Sequence, residues 1–200
     1  IYIGADDWFT SDRVIESIVS DIMCHPSFDC YSYPIYKVDN SIGIQRKIIK
    51  KLSNDEIISG NMLPHNGMFV KTDVLKKFKF DMNYKIAADY DFLLKFIKNK
   101  YTIYYGDVVV TFFSIGGISS SEENELLFDR EYKQIIANNG YSAEKVCKTH
   151  GTIRIRRNIL RIRKAMSKTW LLKKMLLLKG WEIHKCNNPK CFLCFNKNEV

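Results

Sequence analysis

The sequence predicts an α/β layer architecture with an irregular middle and a helical tail. Runs rich in aromatic and β-branched residues, such as Phe28 to Val38 and Tyr101 to Phe113, are interspersed with runs of helical periodicity, such as Val14 to Ile22. A hydrophobic fraction of 46% over 200 residues, with 13% aromatic, supplies one good-sized core and excludes a disordered chain. The net charge of +9 is unevenly spread. Residues 151–200 carry 13 Lys/Arg against Glu182 and Glu199, a balance of +11, which leaves −2 for 1–150.

The first element reads as a strand, Ile1 to Ala5, with no cap or helix before it; on this reading the first half of the domain lies upstream of Ile1. The strand delivers two adjacent carboxylates, Asp6 and Asp7, to its carboxyl end, the edge at which open α/β sheets bind ligands. Such a pair suits a hard divalent cation shared with substrate phosphates. The alternative is two solvated residues that cap the following helix. That helix begins at Thr10 or Ser11 and repeats Val14, Ile15, Ile18, Val19 and Ile22 at helical spacing.

Phe28 to Val38 then reads as a strand, Asp39-Asn40 as a turn, and Ile42 to Lys51 as the returning strand. Ser53 and Glu56 form a capping box for a short helix stopped near Gly60. A strand over Met68 to Lys71 leads into a helix over Thr72 to Phe78. A loop from Lys79 to Ala87 follows, then a helix carrying Asp89, Tyr90, Asp91, Leu93, Leu94, Phe96 and Ile97. Tyr101 to Phe113 has the Val and aromatic content of a buried strand, Ser114 to Ser121 is a polar Gly-containing loop, and helices are expected over 122–139 and 153–180.

Three separated motifs point to one site: Gly4-Ala5-Asp6-Asp7, Pro64-His65-Asn66-Gly67-Met68-Phe69 and Ala87-Ala88-Asp89-Tyr90-Asp91-Phe92. Phe80-Asp81, Tyr84-Lys85-Ile86 and Gly116-Gly117-Ile118-Ser119 lie between or after them. In this order and spacing they resemble the second half of a family 2 glycosyltransferase with the GT-A fold, over roughly residues 1–120. The resemblance implies a partial GT-A fold with a mixed sheet, lacking its N-terminal nucleotide-binding half. Residues 121–150 would be a helical extension and 151–200 a basic, Cys-containing helical tail.

The resemblance also implies roles. Asp6 matches a carboxylate on the ribose side of the nucleotide, and Asp7 one that binds Mg²⁺ or Mn²⁺ bridging the donor diphosphate, where the cation stabilises the leaving charge. Asp89 matches the catalytic base that takes the acceptor hydroxyl's proton; the family often has an acidic residue just before it, where this chain has Ala88. Asp91 is assigned as a supporting or acceptor residue. The plainer alternative is that both Asp89 and Asp91 favour a helix N-terminus. His65 is placed near donor or acceptor, or as a structural hydrogen-bonding residue, and Gly116 and Gly117 in a loop over the donor phosphates. The implied activity is inverting, metal-dependent transfer of a sugar from a nucleotide-sugar donor to a glycan or lipid-linked acceptor.

In the tail, Arg157, Arg161, Lys164 and Lys168 share one helical face, while Ile155, Ile159, Ile162, Met166 and Trp170 share the other. That is the pattern of an interfacial helix, with Trp170 and Trp181 at headgroup depth, or of a helix packed on the domain with a solvated basic face. The first version makes 153–181 a peripheral membrane contact and the protein cytoplasmic at the inner face of the plasma membrane. A non-catalytic module binding membrane or nucleic acid through this tail is the competing class, although no nucleic-acid recognition module accompanies the charge. His184, Cys186, Cys191 and Cys194 offer one Cys-x-x-Cys pair with zinc-ligand spacing. The run from Trp170 to Leu178 is too short to span a bilayer.

Overall fold

Two runs expected as single strands are each broken in the middle, and the breaks generate the architecture. In a computed structural model that describes residues 1–115, 122–142 and 170–184, Phe28 to Val38 becomes β2 (Cys30–Ser32) and β3 (Ile35–Asp39). Tyr101 to Phe113 likewise becomes β6 (Ile103–Tyr105) and β7 (Thr111–Ser114). Each half belongs to a different sheet. With β1 (Trp8–Phe9), β4 (Ile44–Ile48), β5 (Met68–Val70) and β8 (Glu182–Ile183), the described strands form a five-stranded sheet, β1-β7-β3-β4-β8, and a three-stranded sheet, β5-β2-β6. Both are mixed: β2/β6 and β3/β7 are parallel, and every other pair is antiparallel.

The break has a local cause. Pro34 has no N–H to continue a ladder, and just before it the Tyr33 N–H extends the β2/β5 register by one position, donating to the Gly67 carbonyl at 2.9 Å. Tyr33 is fully buried there, its hydroxyl donating to Asp21 Oδ2 at 3.0 Å. Two glycines make room for it. A Cβ on Gly106 would lie 2.2 Å from the Tyr33 ring, and one on Gly67 would lie 2.3 Å from the Tyr33 carbonyl oxygen.

Six α-helices are described: α1 (Val14–Cys24), α2 (Asn54–Ile58), α3 (Thr72–Phe78), α4 (Ala88–Lys98), α5 (Glu122–Asn138) and α6 (Trp170–Leu178). The α/β class and mixed sheets match expectation, as do the limits of α3 and the capping box of Ser53 and Glu56. Near the N-terminus the structure differs. Ile1 to Ala5 forms no strand, because the chain closes a turn in which Asp7 N–H donates to Gly4 O at 3.2 Å and Gly4 N–H donates to Asp7 Oδ2 at 3.1 Å. The expected caps of α1 are not used either: Thr10 donates its hydroxyl to Val109 O at 2.6 Å, and the helix starts later, behind Arg13. Its buried stripe is correspondingly narrow, with Val14 and Ile18 inside and Ile15 and Val19 exposed.

The main core is built around α4, which buries Tyr90, Asp91, Phe92, Leu93, Leu94, Phe96 and Ile97. Ile135 and Ile136 of α5 and Ile57 of α2 pack with it. Tyr90 and Tyr132 stack at 3.8 Å between ring centres, and their hydroxyls donate to Ile57 O and Gly60 O. This fixes the start of α4 against α2 and α5. A smaller cluster of Ile44, Leu172 and Leu176 seats α6 beside β4.

Gly106→Ala should destabilise the protein by about 1–3 kcal/mol, because the added methyl group overlaps a buried ring held in place by Asp21. Urea unfolding of the two proteins measures this directly.

Candidate active site

A cavity of about 480 Å³ lies between one face of the larger sheet and the segments leading into α4. Ile35 and Lys37 of β3, Ile48 of β4, Phe113 of β7 and Lys50, two residues beyond β4, form the sheet wall. Strand alternation accounts for this set: Ile35 pairs with Ile48 and Lys37 with Phe113, so their side chains share a face. Met62 to Asn66, Phe80, Ile86, Ala88 and Asp89 form the opposite wall.

Asp89 is half-buried at the first turn of α4. Burial pushes its carboxyl above the ordinary carboxylate range, against the opposing pull of His65 and of a 2.8 Å hydrogen bond from the Tyr90 N–H. His65 lines the same cavity and stacks on the Tyr2 ring at 6.3 Å. The structure therefore brings His65 and Asp89 together from segments 24 positions apart.

Asp7 is joined to this cavity through Asn66. The Asn66 side-chain amide donates to Asp7 Oδ2, which also accepts the Gly4 N–H, while Asp7 Oδ1 accepts the Ser114 N–H at 2.9 Å. One carboxylate thus ties together the N-terminal turn, the His65-Asn66-Gly67 turn and the end of β7. Asn66 is itself buried, and its carbonyl accepts the Thr111 hydroxyl at 3.2 Å. Neither Asp6 nor Asp7 caps α1, whose N-terminus has no side-chain cap.

A Cβ on Gly4 would lie 2.8 Å from Asp7 Oδ2 and 3.0 Å from Asp6 Oδ1, so both carboxylates converge on the space that glycine leaves open. Three hydrogen bonds occupy most of the roughly four acceptor positions of the Asp7 carboxylate. Asp6, which is exposed, brings a second carboxylate. Among the described residues no group of three His, Cys, Asp or Glu side chains forms a metal cage. These donors suit a magnesium-like ion that takes one or two carboxylates and completes its shell with phosphate and water.

Asp91 is not brought to the cavity. It is buried, pairs with Lys95 Nζ at 2.5 Å and accepts the Asn139 amide at 3.2 Å, linking α4 to the end of α5. Gly116, Gly117, Cys186, Cys191, Cys194 and the basic face of 153–169 lie outside the described residues. His184 is buried, with Nδ1 2.6 Å from Gln45 Oε1 and its ring edge-on to Phe112 at 5.2 Å. Trp181 packs against the Ile44, Leu172 and Leu176 cluster, so this part of the tail adheres to the sheet. No helix among the described residues is long and apolar enough to cross a membrane.

Sequence reasoning missed two residues. Asn66 was visible only as part of a turn motif, with no sign that it would meet Asp7. Glu131 carried no local signal at all, being one acid in the polar-rich helix α5. It is buried and its carboxylate accepts the N–H groups of Lys85, Ile86 and Ala87 at 2.8, 3.0 and 2.9 Å. These are the residues that bring the chain to Asp89. No protein-family model matches the sequence, and no curated protein matches it.

Glu131→Gln should cost about 2–3 kcal/mol, because one carboxylate oxygen that accepts N–H groups is replaced by a donor facing them. Denaturant unfolding reads the loss. Increased hydrogen exchange at Lys85 to Ala87 would locate it.

Proposed function

We propose that the protein is a glycosyltransferase of the GT-A type and that it transfers a sugar from a nucleotide-sugar donor to a hydroxyl of a glycan or lipid-linked acceptor. The observation that carries the reading is a half-buried, elevated carboxyl, Asp89, in a cavity whose wall residue Asn66 also holds Asp7. The mixed sheets are compatible with that fold.

In this reading Asp89 accepts the acceptor hydroxyl's proton as its oxygen bonds to the anomeric carbon, while the bond from that carbon to the diphosphate breaks with inversion. A carboxyl raised by burial is a stronger base once ionised than an exposed one, which is what proton abstraction from an alcohol requires. Asp6 and Asp7 would hold Mg²⁺ or Mn²⁺, which supplies Lewis-acid stabilisation of the departing diphosphate. His65 orients the acceptor beside Asp89, and the N–H of Ser114 fixes Asp7 at the point where the chain leaves β7 towards Gly116 and Gly117. Contact of the basic segment within 153–181 with an anionic membrane would present lipid-linked acceptors to the cavity.

The test is a panel of nucleotide sugars offered to the full-length protein with Mn²⁺. Asp89→Asn should lower kcat by at least about a hundred-fold with donor affinity little changed. Because the base must be ionised, activity should fall as pH drops through the raised Asp89 value, placing the acid limb above the ordinary carboxylate value of about 4. Stability has its own sign. A carboxyl raised in the folded state stabilises the fold fully below its unfolded value and loses that contribution as pH rises through the folded value. The Asn variant, neutral throughout, should therefore be at least as resistant to urea as the parent at neutral pH. Near-parental turnover in the variant would overturn the assignment of Asp89.

Gly4→Ala probes the carboxylate pair without removing a charge. Its methyl group would enter the space on which both carboxylates converge, so Mn²⁺-dependent nucleoside diphosphate binding should weaken by about ten-fold or more. Calorimetric titration provides the check, and unchanged affinity would remove the cation from this turn.

A further inference from the structure

Three residues of the cavity wall, His65, Phe80 and Asp89, also line a second, smaller space of about 30 Å³, so they border both. Tyr2 covers this border. Its ring stacks on His65 at 6.3 Å and meets Phe80 edge-on at 5.3 Å between ring centres, while 47% of the residue stays exposed. Within the space lie Met68 and Val70, alternate positions of β5 that share a face, together with Leu75 of α3 and Phe92 of α4. All four side chains are apolar. Met68 and Phe92 are also buried members of the main core, so the space ends as a recess against packed residues. The polar side chains of its lining belong to the covering residue, Tyr2, and to two border residues, His65 and Asp89.

We propose that this recess holds the methyl group of a deoxy sugar acceptor, one whose ring carries methyl where the parent hexose carries hydroxymethyl, while the neighbouring ring hydroxyl faces Asp89. This rests on the glycosyltransferase reading, and it names the acceptor class. The ring itself occupies the larger cavity, whose volume of about 480 Å³ falls within the range of small-molecule sites. Size is the first argument. A single water needs roughly 10–15 Å³ of free space, so about 30 Å³ takes one small group and not a ring or an acetamide. Chemistry is the second. An ordered water needs about two to four polar partners, which the side chains of Met68, Val70, Leu75 and Phe92 do not supply, whereas a methyl group needs only contact. A hexose would put its hydroxymethyl oxygen among these apolar groups, where it loses water and gains no partner. Position is the third. Because Asp89 borders both spaces, a group in the recess lies a few bonds from a hydroxyl presented to that carboxylate, as a ring methyl does from the adjacent hydroxyl. Asp6 and Asp7 line neither space, which assigns the methyl group to the acceptor and not to the donor.

The experiment is NMR titration of the full chain with matched pairs of free sugars in the same absolute configuration: quinovose with glucose, fucose with galactose, and rhamnose with mannose. At least one deoxy sugar should bind about ten-fold or more tightly than its partner, since an apolar pocket disfavours an added hydroxyl by up to about a hundred-fold. Its methyl protons should show a nuclear Overhauser contact to the Met68 methyl group. Val70→Ile adds a methyl group to the recess and should bring the two affinities to within about two-fold. Tyr2→Ala removes the cover at an exposed position and should do the same, so it carries the test if Val70→Ile disturbs β5.

Equal affinity within every pair, the result that a water-filled recess gives, would overturn the proposal, as would no binding of any of these sugars. A bound deoxy sugar without contact to Met68, or a preference that survives in either folded variant, would also overturn it. Titration with a nucleoside diphosphate and Mn²⁺ separates the two readings. If the nucleotide binds and no deoxy sugar is preferred, the acceptor proposal falls and the transferase reading stands. If a deoxy sugar binds through the recess and the nucleotide does not bind, the sugar site stands and its assignment to a transferase acceptor falls.

Discussion

Tyr33 is the residue at which the two sheets are joined, and its accommodation constrains everything around it. Its backbone N–H continues the β2/β5 register to Gly67, its ring fills the space beside Gly106, and its hydroxyl reaches Asp21 of α1. Because Pro34 follows it, the strand cannot run straight on. The chain therefore passes from one sheet to the other at this point, and Gly106 to Val110 makes the parallel passage beside it, with the Val110 N–H bound to Pro34 O at 3.0 Å. The same bond to Gly67 fixes the turn that carries His65 and Asn66. Packing at the joint and geometry at the cavity are consequently one problem.

Four acidic side chains around the site are stabilised in four different ways, and the differences explain what each can do. Asp7 accepts three neutral N–H donors, which hold its position. Asp91 spends its charge on Lys95 inside the protein. Glu131 is committed to three backbone amides and acts as a clasp for the segment before α4. Asp89 has the backbone N–H groups of Tyr90 and of Asp89 itself and the charge influence of His65, too little to offset burial, so its carboxyl is the one raised. In the proposed reaction the base is the residue that its surroundings satisfy least.

Much of this was legible in the sequence because it is local. The capping box at Ser53 and Glu56, the bounds of α3 and the periodicity of α4 each depend on residues within a few positions of one another. The motifs containing Asp7, His65 and Asp89 also announced themselves, and the fold brings them into one neighbourhood. What could not be read was non-local. Nothing in Phe28 to Val38 says that its two halves will choose different partners, except Pro34. Asp89 and Asp91, two positions apart and alike in sequence, point to different surroundings because a helix turns by about 100° per residue. The reach of Glu131 back across more than forty positions follows from the docking of α5 on α4, which only the assembled core specifies.

The larger sheet is bounded on both sides by strands of two residues, β1 and β8. Short borders of this kind leave little ladder for another chain to continue. The border at β8 is supplied from far along the sequence: Glu182 accepts the Gln45 amide at 2.9 Å and the His184 N–H binds Gly43 O at 3.1 Å. Behind it, Leu172 and Leu176 cover Ile44. A chain shortened before α6 would uncover the five-residue edge of β4 together with its apolar flank. Such a species would be prone to add strands from its own copies, so the late segment serves as a guard on solubility as well as a source of positive charge.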